Sequence, residues 1–188
     1  MPRLRPAAVL AAIHVALIAA WPMAARADEA QDIERLLRAG RTSEALARVD
    51  RSLAARPADA QLRFLRGVAL ADAQRTAEAV DVLVKLTEDH PDLAEPHNNL
   101  AVIYAADGRY EKARGALEAA VRANPGYATA HENLGDVYAR LAAASYQRVL
   151  QLDAASRGAA AKLALVRGLF AATPAMAATQ APAGSAPR

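Results

Sequence analysis

The chain has 188 residues, with 23 Lys and Arg, 20 Asp and Glu, 4 His and no Cys. The lack of cysteine excludes disulfides, a thiol nucleophile and a lipid-bearing amino-terminal cysteine. The formal charge of +3 sits in the first 27 residues: Arg3, Arg5 and Arg26 precede the first acid, Asp28, so residues 28–188 carry 20 charges of each sign. That balance excludes the basic surface on which nucleic-acid binding depends.

Residues 1–27 read as an export signal. Arg3 and Arg5 make a basic start, residues 7–20 are apolar apart from His14, and Ala25-Arg26-Ala27 supplies small residues for signal peptidase. Cleavage is expected after Ala27. The chain would then meet the membrane only through this segment before cleavage and reside in the periplasm. The alternative is an inner-membrane anchor, but the run is shorter than the ~20 residues of a spanning helix, and Pro22 interrupts it.

From Asp28 onward the chain repeats itself. Pro57, Pro91 and Pro125 stand 34 residues apart, as do Ala45, Ala79 and Ala113. Gly40, Gln74 and Gly108 open an internal turn at the same interval, and Gly67, Ala101 and Gly135 mark a small residue in the first helix of successive units. Leu100, Ile103 and Tyr104 share one helical face, and Ala113, Ala116, Leu117 and Ala120 share another. The spacing predicts helical hairpins over 28–59, 60–93, 94–127 and 128–153. No single hairpin can bury its apolar face alone, so the units must stack.

The third block, HNNLAVIYAADGRYEKARGALEAAVRANP, and the fourth, beginning HENLGDVYARL, resemble the tetratricopeptide repeat. Leu100, Ala101, Tyr104, Ala113 and Pro125 match its pattern in the third block, and Leu134, Gly135 and Tyr138 in the fourth. His97 and His131 take the tryptophan place. The chain resembles small exported proteobacterial proteins of this family. The resemblance implies an all-α fold, a right-handed superhelical stack of hairpins forming an α-solenoid with a carboxy-terminal capping helix. It also implies a concave groove lined by the first helix of each hairpin. In this sequence those positions are Gln61, Phe64, Val68 and Asp72; Glu95, Asn98, Asn99 and Val102; and Thr129, Glu132, Asp136 and Arg140. A Lys/Arg clamp for a partner's carboxylate end is not expected. Glu132, Asp136, Phe64 and Val68 occupy its places, and only Asn99 matches.

The fourth block is short of an internal turn by about five residues. Neither Gly nor Pro lies between Gly135 and Asp153, while Leu134, Tyr138, Leu141, Ser145, Val149 and Leu152 continue one stripe. The prediction is a single helix over 128–153, with a tight turn near Ala143–Ser145 as the alternative. Such a helix must pack on the capping helix or on a second molecule, so oligomerisation through 128–172 is an open possibility. The segment 154–172 is expected to hold that capping helix over 155–171, its inner stripe formed by Ala159, Leu163, Val166 and Phe170. Residues 173–188, rich in Ala, Pro and Thr, are expected to be a disordered tail.

The sequence offers no nucleophile–base pair. His97 and His131 are equivalent places in adjacent repeats and, with Glu132, make the nearest approach to a metal set, yet two imidazoles do not close a zinc site. We therefore expect no enzyme activity, no metal and no cofactor. The resemblance implies an adaptor or scaffold that binds a protein or peptide segment in its groove and works in cell-envelope complex assembly. A chaperone-like assembly factor holding outer-membrane or secreted clients is the competing reading.

Overall fold

Three turns set the architecture. Gly40, Gln74 and Gly108 adopt left-handed backbone with φ of 69°, 60° and 71°, and each ends a helix with the same pair of hydrogen bonds. Arg41 N–H reaches Leu36 O at 2.9 Å, Arg75 N–H reaches Leu70 O at 2.9 Å, and Arg109 N–H reaches Tyr104 O at 2.8 Å. The N–H of the left-handed residue itself bonds the carbonyl three residues back, which completes the Schellman motif. After each turn the chain reverses into a second helix. Those helices end at Arg56, His90 and Asn124, all with φ near −138°, and the proline after each one cannot continue a helix.

The computed structural model describes residues 28–171. The expected leader, with its Ala25 and Ala27 cleavage point, and the tail 173–188 lie outside the described residues. The helices are α1 (28–38), α2 (Thr42–Ala55), α3 (Ala60–Asp72), α4 (Thr76–Asp89), α5 (Ala94–Ala106), α6 (Tyr110–Ala123), α7 (Ala128–Leu152) and α8 (Arg157–Ala171). No strand occurs among the described residues. From α2 onward each helix packs on the next, and the first helices of hairpins also touch, α3 on α5 and α5 on α7.

The core runs along the stack. Ile33, Val49, Leu62 and Leu65 begin it, Leu70 and Ala79 continue it, then Leu83, Leu86 and Leu100, then Ala113, Leu117, Ala120 and Val137. Small residues set the helix spacing. A Cβ added at Gly67 would lie 2.7 Å from a Leu83 methyl, so only glycine lets α3 and α4 approach this closely.

The fourth unit departs from the others. α7 runs 25 residues without a break, as the stripe in the sequence predicts. The segment LAAAS, where a turn would fall, contains good helix formers and no residue suited to left-handed backbone. Yet the end of α7 copies the end of α6. Asp153 has φ −140° and ψ 90°, against −139° and 95° at Asn124. Asp153 Oδ1 accepts from Ala155 N–H at 3.0 Å, as Asn124 Oδ1 does from Gly126 N–H at 3.0 Å. The last part of α7 is thus the second helix of a repeat, fused end to end with the first. α8 turns back along it, with Lys162 over Tyr146 and the Arg140 guanidinium 3.8 Å from the centre of the Phe170 ring. Ala159 and Leu163 are buried against α7, while the opposite face carries the exposed Leu165. α8 thus covers the end of the stack as the capping helix, with Leu165 left on its outer face.

Candidate binding groove

The first helices α1, α3, α5 and α7 present residues in rows 34 apart. One row is Glu34, Val68, Val102 and Asp136; another is Gln61, Glu95 and Thr129; a third is Phe64, Asn98 and Glu132. Gln61, Glu132 and Arg140 are exposed, and Val68, Glu95, Val102, Thr129 and Asp136 are half-buried.

The structure gathers Gln61, Phe64 and Glu95 around one cavity. It lies between the amino-terminal turns of α3 and α5, has a volume of about 310 Å³, and is completed by Ala60, Leu93 and Pro96. Its floor is apolar, with a carboxylate and an amide at the rim. Phe64 is part of that floor and is also core: it is 5% exposed and packs in one cluster with Leu83, Leu86 and Leu100. It is therefore no projecting anchor.

Asn98 and Asn99 are not on the surface. They are 0% and 5% exposed, and Asn98 Oδ1 accepts from Asn133 Nδ2–H at 2.8 Å. The Asn98 amide, expected to meet a bound segment, instead joins α5 to α7, because the first helices lie against each other along this line. Arg140 is also engaged, stacked on Phe170, and so ties α8 to α7.

Sequence reasoning missed Leu93 and Pro96. Leu93 holds the N-cap of α5, at φ −83° and ψ 114°, and has no side-chain cap bond. In the preceding repeat the same place is Asp59, whose carboxylate accepts from Leu62 N–H at 3.1 Å. A leucine at a capping position forgoes a hydrogen bond that Asp would make. That anomaly was the available signal.

The remaining carboxylates make this layer acidic. Burial raises the Glu34 carboxyl, with Arg38 at 3.6 Å and Gln61 acting in the opposite direction. Burial also raises Asp72. The two histidines serve the turns. The His131 ring donates from Nε2 to Pro125 O at 2.9 Å, and the His97 ring donates to the Pro91 carbonyl. Burial lowers the His97 pKa, the Pro91 carbonyl raises it, and Arg122 lowers it. On the other side of the stack, a larger cavity of about 500 Å³ is lined by charged residues such as Asp50 and Arg66, which pair at 2.8 Å.

The family model for the tetratricopeptide repeat matches residues 33–94 and 98–141, more than half of the chain. The chain belongs to the tetratricopeptide repeat family, whose members are as a rule protein-interaction modules rather than enzymes. It is 39% identical over 70 residues to the tetratricopeptide repeat domain-containing protein PYG7, chloroplastic, of Arabidopsis thaliana. That match takes in 35% of this chain and 23% of the relative, so the chain spans under a quarter of that protein's length. Among solved structures, a crystal structure of MamA protein is similar at TM-score 0.53 and 21% identity, covering 74% of this chain and 79% of the other. The structure of Naa15/Naa10 bound to HypK-THB is similar at TM-score 0.55 and 15% identity, covering 77% of this chain and 23% of the other. At these identities the likeness is one of fold: a stack of tetratricopeptide hairpins.

Proposed function

We propose that the protein is an exported adaptor of the cell envelope that holds an extended segment of a partner protein across α3 and α5. The observation that carries this reading is the apolar cavity between the two helix starts, with Gln61 and Glu95 at its rim. An aliphatic or small aromatic side chain of the partner fits the floor of Leu93, Pro96 and Phe64. Basic or hydroxyl-bearing residues on either side suit the carboxylates of Glu95, Glu132 and Asp136. The apolar anchor supplies most of the affinity, and the carboxylates set orientation and association rate. A fold shared with a structure that carries a bound protein segment, HypK-THB on Naa15/Naa10, supports a protein partner. The basic start, apolar run and Ala25-Arg26-Ala27 site support export to the periplasm.

The test is photo-cross-linking in cells expressing the full chain, with the reactive residue at Gln61 and a control at Asp81 on the opposite side of the stack. A defined partner captured from Gln61 alone, in the periplasmic fraction, is the expected result. Equal capture from both positions contradicts the groove, and recovery in the cytoplasm contradicts export.

A further inference from the structure

We propose that two copies of this chain pair reciprocally through α7, each supplying the second helix that the other's fourth repeat lacks. In the regular hairpins the second helix turns three positions onto the first. These are Ala79, Leu83 and Leu86 in α4, and Ala113, Leu117 and Ala120 in α6, all 0% exposed. Aligned on the shared turn at Asn124 and Asp153, the second half of α7 carries Ala142, Tyr146 and Val149 there. None of them is buried, and Val149 is 39% exposed.

The first half of α7 shows the matching vacancy. Gly67 lies against Leu83, and Ala101, its equivalent in α5, is 0% exposed. Gly135 holds the same place in α7, is exposed, and has nothing within 4 Å of an added Cβ. Tyr138 beside it is 48% exposed, whereas Leu70, its equivalent in α3, is 0%. The fourth repeat thus contains both halves of a hairpin interface, and the straight helix holds them apart. By equivalence with Gly67 and Leu83, Gly135 should meet Tyr146. Those residues lie about 16 Å apart along one helix at 1.5 Å per residue.

A second α7 laid antiparallel resolves this. Placing Gly135 opposite the partner's Tyr146 puts a twofold axis between residues 140 and 141, and the same axis brings Tyr146 opposite the partner's Gly135. Such an interface is isologous, both faces being satisfied by one operation. The sequence fits it. Gly135, Ala139, Ala142 and Tyr146 succeed one another at intervals of four, three and four, the seam spacing of paired helices, and the axis sets Ala139 opposite the partner's Ala142. These four positions carry no charge, and Gly135, without a side chain, faces Tyr146, the bulkiest of them. A partner of other sequence would have to present a first-helix face and a second-helix face, in antiparallel order, on one helix. A second copy of this chain does so by symmetry.

The test measures mass by light scattering and sedimentation on protein purified from cells expressing the full chain, between 1 and 100 μM. The expected species is a dimer. Gly135→Leu adds a side chain where the single chain has open space, so it should leave helicity and melting unchanged and weaken the dimer at least tenfold. Inserting Gly-Arg-Tyr-Glu-Lys, the segment 108–112 of the third repeat, between Leu141 and Ala142 restores the turn and should give a monomer. The chain has no native cysteine, so the double variant Gly135→Cys, Tyr146→Cys should oxidise to a covalent dimer with no internal bond. A monomer at 100 μM overturns the proposal, as does a dimer that survives both Gly135→Leu and the insertion. A monomer that dimerises only after removal of 172–188 also overturns it, since the chain's own tail would then hold this seam.

Discussion

Asn133 donates a hydrogen bond to Asn98 at 2.8 Å, with both side chains shut off from solvent. The bond joins the first helices of consecutive repeats and fixes their register. Replacing one member leaves its partner's amide buried with a hydrogen bond removed, which costs about 1–3 kcal/mol. Asn98→Ala should therefore lower the unfolding free energy in urea by that amount. It should also loosen α7 specifically, read as faster amide exchange over 128–141. An Asn98→Ala variant as stable as the parent would mean that the register is set elsewhere.

Phe64 lies in the core and forms part of the groove floor. Phe64→Ala should cost about 3–5 kcal/mol, in the range for deleting a buried aromatic side chain. Phe64→Leu keeps most of the volume and should cost far less. Loss of partner binding in the alanine variant is therefore uninformative on its own. Denaturant melts of the two variants check this, and equal melting midpoints would remove Phe64 from the core.

Gln74 adopts the left-handed backbone that Gly40 and Gly108 adopt in the neighbouring repeats. A Cβ in this conformation is strained by about 1–2 kcal/mol, offset in part by the greater chain entropy of glycine. Gln74→Gly should thus stabilise the protein by up to about 1 kcal/mol, and Gly108→Ala should destabilise it. Thermal melts of both variants settle the sign.

His97 should make stability depend on pH. Burial holds its pKa below the ordinary value, so the unfolded chain binds the proton more readily. Its contribution is complete above about pH 6.5 and declines as pH falls from there toward the lowered folded value. Glu34 and Asp72 act in the opposite sense, because their raised carboxyls favour the protonated folded state as pH falls. The informative quantity is the difference between parent and His97→Gln. The parent should lose more stability between pH 7.5 and 5.5 than the variant does, and parallel curves would remove His97 from this role.

Much of the fold is legible in the sequence because it depends on local chemistry repeated at a fixed interval. Pro57, Pro91 and Pro125 end second helices, Gly40 and Gly108 permit the reversal, and the missing turn residues after Leu141 lead to the long α7. The groove is less legible. Helical spacing places Asn98 and Glu132 in one row, but it does not reveal how closely α5 and α7 approach. That approach buries Asn98 and leaves Glu132 exposed. Phe64 fell on the expected face, but its depth depends on Leu83, Leu86 and Leu100, which come from two other helices. Leu93 carried a local signal, an apolar residue at a capping position, whose meaning depends on the cavity beside it.

That residue also separates binding from stability. Leu93→Asp would install the cap that Asp59 provides one repeat earlier, on nearly the same backbone, and should stabilise the protein by about 1 kcal/mol. It would also put a charge in the apolar wall of the groove. The decisive measurement is calorimetric titration of the segment captured from Gln61 into the parent and Leu93→Asp proteins. The account predicts at least tenfold weaker binding to a variant that melts no lower than the parent. Unchanged affinity would show that the partner does not use this cavity.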